Sequence, residues 1–240
     1  MRDTIAVIGA TRGTGLAAMQ QLIAAGRPAV AVARSVEKAR QLFGDKANVV
    51  YGDVTRPETL REAIDPDWAG IVFTVDITGG IGGRGRFPSP ERGRAALYRG
   101  LVHTGGACQQ GGVAGRLVLL STIGLTQPSI AMTILNWVKP GLRDHSLDKG
   151  EYLKKSGLDW TIVRAGILNN KPAGQHLLDI SARDWPLEMR YQISRADLAR
   201  VLLACVDHPA VGRRELSVFW DGPGRDSDEQ LGAKLAAVAG

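Results

Sequence analysis

The stretch Thr4-Ile5-Ala6-Val7-Ile8-Gly9-Ala10-Thr11-Arg12-Gly13-Thr14-Gly15 decides the fold of this 240-residue chain. It opens with an apolar run at 5–8 and continues with glycines at 9, 13 and 15. Apolar residues at 16, 19, 22 and 23 then follow at helical spacing. The sequence therefore predicts a buried strand, a tight glycine turn and a helix N-terminus in immediate succession.

This predicted turn has the features of a pyrophosphate-binding site. The free N–H groups of the first helical turn and the positive end of the helix dipole both attract an anion. Glycine is needed because a Cβ would block the turn or keep a phosphate away from the backbone. The alternative is a strand-helix turn without a ligand, but a place between strand and helix favours the binding site. The residues expected to contact the ligand are Gly9, Thr11, Arg12, Gly13 and Thr14.

Length and composition indicate one domain, residues 1–240. The hydrophobic fraction of 44% and the charged fraction of 22% are those of a soluble globular protein. Cys108 and Cys205 are far apart in the sequence, so we expect two buried thiols, no disulfide framework and a reducing, cytoplasmic location. We expect neither cysteine to bind a metal. No apolar run could span a bilayer, and the opening run is too short for a signal peptide.

The net charge of +6 is compatible with nucleic acid, an anionic cofactor or simple solubility. The arginines are scattered except for a group at 84, 86, 92, 94 and 99. This group lacks interleaved aromatic residues and a helix-turn-helix pattern, so we expect a solvated basic face. The predicted partner is a small-molecule substrate, with neither nucleic acid nor a membrane, and the sequence leaves the oligomeric state open.

Strand and helix patterns alternate along most of the chain. This order predicts an α/β fold, a Rossmann-like doubly wound parallel sheet with helices on both faces. Ser35 is expected to cap the second helix, and the pairs Thr55/Glu58 and Ser194/Asp197 are expected to form capping boxes. Beyond the first unit, strands are predicted at 29–33, 48–51, 70–75, 116–121, 159–164 and 215–219, and helices at 35–42, 55–64, 91–110, 143–156, 194–207 and from 228.

The carboxyl ends of the strands carry the candidate binding residues, because ligands of such sheets lie beyond these ends. Arg34 ends the second strand, where an NAD-binding protein usually has an acid for the ribose hydroxyls. Together with Arg12 in the glycine turn, it favours a 2′-phosphate and hence NADP(H). The alternative is a pair of solvent-exposed arginines.

Other strand ends supply further candidates. Asp53 either accepts a hydrogen bond from the adenine amino group or is a turn residue before Thr55, and the sequence favours neither. The remaining candidate cofactor contacts are Val54, Thr74, Ala165, Gly166 and Ile167.

Several motifs resemble the short-chain dehydrogenase/reductase superfamily: residues 8–15, Gly52-Asp53-Val54 and Leu120-Ser121-Thr122-Ile123-Gly124. Residues 149–151, 156–164 and 194–199 resemble its atypical branch, which holds NAD(P)H-binding reductases such as flavin/biliverdin reductase and redox-sensor regulators. The glycine spacing resembles that of ordinary members. The resemblance implies a Rossmann fold, NADPH, and a substrate held between the long loops and the C-terminal region.

The catalytic residues depart from the pattern of the superfamily. Ordinary members use a serine, a tyrosine and a lysine, with the tyrosine four residues before the lysine on one helix face. Lys149 matches the lysine, which implies a contact with the nicotinamide ribose, but position 145 is a histidine. His145 shares the helix face with Lys149 and either replaces the tyrosine as a proton donor or is a surface histidine.

The serine position of the superfamily is matched by Ser121 and Thr122. Either hydroxyl can orient a carbonyl, or both merely end the fifth strand by bonding to backbone. The segment 165–167 resembles the one that lies against the nicotinamide, with Ala165 in place of the usual proline.

The substrate region is predicted in loops 76–90 and 123–142 and the segment 165–193. Trp137 and aliphatic residues of 123–142 indicate an apolar substrate, although a lid packed on the core or a dimer contact has the same composition. The function predicted is an NADPH-dependent reductase that transfers hydride to a small, largely apolar carbonyl or conjugated substrate. The alternatives are a non-catalytic NADP(H) sensor that binds a protein partner, and a non-redox cyclase or dehydratase on the same fold.

Overall fold

The computed structural model describes residues 3–76, 91 and 94–238. The described residues form ten strands, numbered here by their order along the chain. Eight of them form one sheet in the order 3-2-1-4-5-6-10-8, and strands 7 and 9 form a small parallel pair. All neighbours in the large sheet are parallel except the last two. In chain order the strands are β1 (Ile5–Ile8), β2 (Ala29–Ala33), β3 (Asn48–Tyr51), β4 (Gly70–Phe73), β5 (Arg116–Thr122), β6 (Trp160–Ala165), β7 (Ile167–Asn169), β8 (His176–Ser181), β9 (Gln192–Ser194) and β10 (Arg214–Pro223).

The helices cover both faces of the sheet. Within the described residues they are α1 (Gly13–Ala24), α2 (Val36–Phe43), α3 (Pro57–Ala63), α4 (Gly100–Gly111), α5 (Ile130–Val138), α6 (Leu142–Lys155), α7 (Arg195–Asp207) and α8 (Asp228–Ala237). One apolar core lies between the sheet and α1, α2, α7 and α8. A second core lies between the sheet and α3, α4 and α6. The predicted Rossmann-like, doubly wound fold is therefore confirmed.

The strand predictions fail mainly in the last third of the chain. β1 and β2 are buried at every residue, as their continuous apolar runs predict. β10 is twice as long as the predicted strand at 215–219, because it continues as the antiparallel partner of β8. β7, β8 and β9 had no clear pattern because most of their side chains are only partly buried.

Helix capping follows the sequence at two of the three predicted sites. Ser35 accepts a hydrogen bond from the Lys38 N–H at 3.2 Å, so this prediction is confirmed. The Ser194 hydroxyl likewise accepts from the Asp197 N–H at 2.9 Å. The Asp197 carboxylate does not return the bond, because it accepts instead from the hydroxyl of Ser194, the Gly174 N–H and the indole of Trp220.

The capping box predicted for Thr55 and Glu58 is wrong. The helix begins one residue later, with Arg56 at the N-cap and no side-chain cap. The Thr55 hydroxyl donates to the Asp53 carboxylate at 2.8 Å, and Glu58 pairs with Arg56. The Thr55 side chain thus belongs to the Asx turn at Asp53 and does not cap the helix, so the capping box cannot form.

Two further helices differ from their predicted bounds. The helix predicted at 91–110 is a π-helical turn at Ala95–Arg99 followed by α4. Residues 123–142, predicted as a loop of the substrate region, contain the regular helix α5, which Ser129 caps. The helix predicted at 143–156 is α6.

Both cysteines lie in the core, as predicted. Burial raises the pKa of each thiol, Cys108 and Cys205, to about 12. Arg84, Arg86 and Arg92 of the basic group, and residues 77–90 of the first predicted substrate loop, lie outside the described residues. In the part of the chain that the structure describes, no helix is long and apolar enough to cross a bilayer.

Two helix glycines provide a test of the packing at the glycine turn. A Cβ on Gly15 would overlap the carbonyl oxygen of Gly9, whereas a Cβ on Gly106 would meet no atom within 4 Å. We expect Gly15→Ala to lower the free energy of unfolding by about 2 kcal/mol or more through overpacking. Gly106→Ala should raise it by roughly 0.5–1 kcal/mol, because alanine loses less backbone entropy in a helix. Urea unfolding of both variants measures this, and equal effects of the two substitutions would contradict the close approach.

Candidate functional site

The glycine turn brings three backbone segments into contact at the carboxyl ends of β1 and β4. Gly9 and Gly13 have positive φ angles of 92° and 56°, which disfavour any residue with a Cβ. The Thr74 hydroxyl donates to the Ile8 carbonyl at 3.0 Å and lies where a Cβ of Gly9 or Gly15 would be. Thr74, predicted as a cofactor contact, therefore fixes the shape of the turn.

The turn leaves backbone donors free at the start of α1. Its first backbone hydrogen bond runs from the Leu16 N–H to the Arg12 carbonyl at 3.2 Å. Among the described residues, the N–H groups of Gly13, Thr14 and Gly15 have no acceptor. Such N–H groups at the positive end of a helix form an anion site. The geometry thus fits the pyrophosphate cradle that the sequence predicts.

The two predicted 2′-phosphate ligands differ in their contacts. Arg12 donates from Nη2 to the Asp76 carbonyl at 2.6 Å, which holds its exposed side chain beside the strand ends. Arg34 is exposed at the end of β2 and has no hydrogen bond or ion pair within the described residues. Both guanidinium groups stand at the edge of the sheet that carries the glycine turn.

Asp53 follows β3 and makes a local turn. Its carboxylate accepts from the Thr55 N–H at 2.9 Å as well as from the Thr55 hydroxyl. This is the turn role that the sequence left open, and the contact with adenine stays a prediction. Val54 is buried, and its carbonyl oxygen lies 2.8 Å from Nδ1 of His103 on α4.

Lys149 lies on α6 and is 4% exposed. In the part of the chain that the structure describes, it makes no hydrogen bond or ion pair. Burial lowers its pKa to about 8, opposed by the negative charge of Asp76 and assisted by the positive charge of Lys139. A cation without its own anion in this position can be stabilised by hydroxyl groups of a ligand.

Asp76 links the glycine turn to the helices beyond β5. Its carbonyl holds Arg12, and its carboxylate accepts from Lys139 at 2.8 and 2.9 Å. Lys149 is close enough to feel both charges. Folding thus gathers four charged residues that are up to 137 positions apart in the sequence (Arg12 to Lys149).

The hydroxyls at 121 and 122 lie on opposite sides of β5. Ser121 shares the side of Leu117 and Leu119, which pack toward α4 and α6, the helix of Lys149. Its Oγ is buried and has no hydrogen-bond partner among the described residues. Thr122 points to the other side and donates to the Ile123 carbonyl at 3.2 Å. An unused buried hydroxyl on the lysine side makes Ser121 the better candidate to orient a substrate.

His145 lies against the N-terminus of its own helix. A Cβ on Gly141 would lie 2.8 Å from its Nε2, and that nitrogen is buried. His145 is thus partly buried at the N-terminus of its helix, and its role as a proton donor stays a prediction. Tyr152, on the C-terminal side of Lys149, donates its hydroxyl to the Val102 carbonyl at 3.2 Å and packs against Gly105.

The segment 165–167 is fixed by the protein itself. The Gly166 N–H donates to the Val218 carbonyl and the Ile167 N–H to the Tyr191 carbonyl, at 3.0 and 2.7 Å. The Ala165 carbonyl accepts from the Ile123 N–H at 3.1 Å. These bonds hold the segment beside the end of β5, but they occupy the N–H groups that a nicotinamide amide would use. A contact with the cofactor would therefore come from side chains or the other carbonyls.

The substrate region has a small apolar core of its own. Ile123, Leu125, Met132 and Leu187 are buried together beyond the ends of β5 and β6. The opposite face of α5 is exposed, with Ile130 81%, Ile134 53% and Trp137 76% accessible. The apolar run at 123–142 thus serves partly as packing and partly as an accessible face.

Sequence reasoning missed Asp184, which shapes the loop after Ser121. Its carboxylate accepts from the N–H of Gly124 and from the N–H and hydroxyl of Thr126, at 2.7–3.0 Å. No motif marks this aspartate. Arg195 was also missed, although the predicted cap at Ser194 could have placed it at the start of α7, beside the strand ends.

Residues 9–209 match the model of a family described as NAD(P)H-binding. The chain belongs to this NAD(P)H-binding family. An uncharacterized chloroplastic protein of Arabidopsis thaliana, At2g34460, is 33% identical over an alignment of 175 positions that covers 69% of this chain and 59% of that protein. The chain thus spans less than two thirds of that relative, and a cytoplasmic location stays a prediction.

Solved structures share the fold over nearly the whole chain. The oxidoreductase ylbE from Lactococcus lactis has a TM-score of 0.77 at 20% identity and covers 98% of this chain and 96% of its own. A short-chain dehydrogenase/reductase from Veillonella parvula, solved in complex with NADP, has a TM-score of 0.71 at 15% identity. The match covers 95% of this chain and 99% of that protein. ChuY, an anaerobilin reductase from Escherichia coli O157:H7, has a TM-score of 0.69 at 20% identity. The match covers 90% of this chain and 97% of that protein. The predicted resemblance is thus confirmed in the NAD(P)H-binding family of the chain and in the fold that it shares with a short-chain dehydrogenase/reductase.

The buried ammonium of Lys149 predicts a pH-dependent stability. Its pKa is about 8 in the folded chain against the ordinary value of 10.5. Between these values the unfolded chain binds a proton that the folded chain lacks, so stability rises with pH from about 8 to 10.5. Lys149→Met should remove this rise and increase the free energy of unfolding at pH 7 by up to about 3 kcal/mol.

Urea unfolding at pH 7, 8 and about 10 without nucleotide measures this difference. Lys155→Met, on the same helix but 79% exposed in its side chain, is the matched control and should keep the rise. An identical pH dependence in both variants would show that Lys149 keeps its ordinary pKa.

Proposed function

We propose that this protein is an NADPH-dependent reductase that transfers hydride to a small, largely apolar carbonyl or conjugated substrate. The observation that carries the proposal is Lys149, which is 4% exposed and makes no hydrogen bond or ion pair with any described residue, in a chain of the NAD(P)H-binding family. Retaining such a charge costs stability, which favours a functional reason for it. The hydroxyls of the nicotinamide ribose are suitable acceptors for this ammonium.

Arg34 supports NADPH over NADH. It has no protein partner within the described residues and occupies the position where an acid would repel a 2′-phosphate. Arg12 lies at the same edge of the sheet, and apart from the bond from Nη2 to the Asp76 carbonyl its N–H groups have no acceptor among the described residues. Two guanidinium groups can pair with the phosphate bidentately.

A bound nicotinamide supplies the hydride, and the chain supplies orientation and the proton. Ser121 is suited to donate a hydrogen bond to the substrate carbonyl, because its buried Oγ has no other partner among the described residues. His145 is the candidate to hold a proton near neutral pH. Thr122 has a weaker case, because its hydroxyl lies on the other side of β5 and bonds to backbone.

The cofactor assignment is tested by fluorescence titration of NADPH and NADH. We expect NADPH to bind more tightly, and Arg34→Ala to lose roughly 10-fold or more of this affinity, as for one charge-assisted interaction. NADH affinity should stay unchanged in Arg34→Ala. Arg214→Ala, at the opposite edge of the sheet, is the control and should bind both nucleotides as the wild type does. If the wild-type protein binds neither nucleotide, the reductase proposal fails.

The catalytic roles are tested by NADPH oxidation with a panel of quinones, flavins and aldehydes. We expect Ser121→Ala to lower kcat about 10²-fold without changing nucleotide affinity, because a polarising hydrogen bond is lost. Thr122→Val should have little effect. Unchanged turnover in His145→Ala would remove that residue from the mechanism. Tight nucleotide binding without turnover of any panel member would favour the sensor instead of the enzyme.

A further inference from the structure

Arg195 lies directly against the glycine turn. A Cβ built on Gly13 would lie 3.6 Å from Nε and 3.8 Å from Cδ of Arg195, an ordinary van der Waals distance. Arg195 is the first residue of α7, which follows Ser194, a residue 182 positions beyond Arg12. Tertiary folding therefore places a third guanidinium beside the predicted pyrophosphate cradle, from a helix that lies far from the glycine turn in the sequence.

The Arg195 side chain is held in place but keeps unused donors. Its Nη1 donates to the side-chain oxygen of Asn170 at 2.8 Å. Its Nε–H and Nη2 have no acceptor, and no carboxylate pairs with it, among the described residues. The nearby Asp197 carboxylate already accepts from Ser194 and Trp220. A half-buried arginine with one anchored nitrogen and free N–H groups is preorganised for an anion.

The surroundings of Arg195 also favour negative charge. The free N–H groups of 13–15 and the positive end of α1 face the same turn. α7 packs along α1, and Gln21 in the C-terminal half of α1 donates to the Ala196 carbonyl at the start of α7, at 2.7 Å, which ties the two helices together. The guanidinium and the amide donors thus lie beside the same turn.

We propose that Arg195 binds the pyrophosphate of the dinucleotide and acts as a third nucleotide-binding arginine. This inference rests on the nucleotide binding proposed above. Arg34 reads the 2′-phosphate, which only NADP(H) carries, whereas Arg195 contacts a group common to NADH and NADPH. Because Arg195 is anchored to Asn170, the bound nucleotide also contacts the segment that follows β7 through this residue.

The test is a titration of Arg195→Ala and Arg195→Lys with NADPH and NADH. We expect Arg195→Ala to weaken both nucleotides by a similar factor of about 10, and Arg195→Lys to recover part of the loss as a point charge. The affinity for 2′-AMP, which carries the 2′-phosphate but no pyrophosphate, should be the same in Arg195→Ala as in the wild type when it is measured by competition with NADPH. Arg200→Ala, on the same helix but paired with Asp228, is the control and should bind as the wild type does.

If the wild-type protein binds nucleotide, the proposed function stands, and three outcomes would then overturn the assignment of Arg195 to the pyrophosphate. These are unchanged affinity in Arg195→Ala, a loss confined to NADPH, and a loss of 2′-AMP binding as large as the loss of NADPH binding. The first shows no contact, the second a 2′-phosphate contact, and the third an effect that does not depend on the pyrophosphate. If the wild-type protein binds neither nucleotide, the proposed function itself fails and this inference with it.

Discussion

The close approach of α1 to the end of β1 is the constraint on which the rest of the structure depends. A side chain at Gly15 would overlap the Gly9 carbonyl, and the Thr74 hydroxyl fills the remaining space. The helix therefore begins directly at the sheet edge and presents its free N–H groups there. Every other candidate cofactor contact is placed relative to this edge, because parallel strands bring their carboxyl ends together.

Electrostatics at this edge combine exposed and buried cations in different roles. Arg34 stays accessible, so its interaction with a phosphate is available but screened by solvent. Lys149 is buried, so its ammonium is held at a cost that the Asp76 charge offsets only in part. Such an arrangement is suited to an anion at its rim and to hydroxyl groups in its interior, the two kinds of group that a dinucleotide carries.

The region beyond β5 and β6 is built by packing and by one buried acid. Asp184 fixes the loop after Ser121, and a separate apolar core joins 123–125, α5 and Leu187. The composition of 123–142 fits a substrate wall, a lid and a contact surface equally well. The structure separates the two faces of α5, because Met132 and Val138 are buried while Ile130 and Trp137 are accessible.

The sequence by itself determined the fold class, the glycine turn and the order of the main strands and helices, because these depend on local periodicity and on backbone conformations that only glycine adopts readily. It also indicated Lys149 and the hydroxyls at 121 and 122 as candidates for the site. It misplaced the start of α3 and missed β7, β8 and β9, since competing local hydrogen bonds and partial burial leave no clear pattern.

Only the tertiary structure decided which side of β5 carries the free hydroxyl, and that Arg12, Asp76, Lys139 and Lys149 meet at one edge. The same is true of Arg195 against Gly13. The physical reason is that contacts between residues more than sixty positions apart depend on helix packing and strand order, which no local pattern encodes.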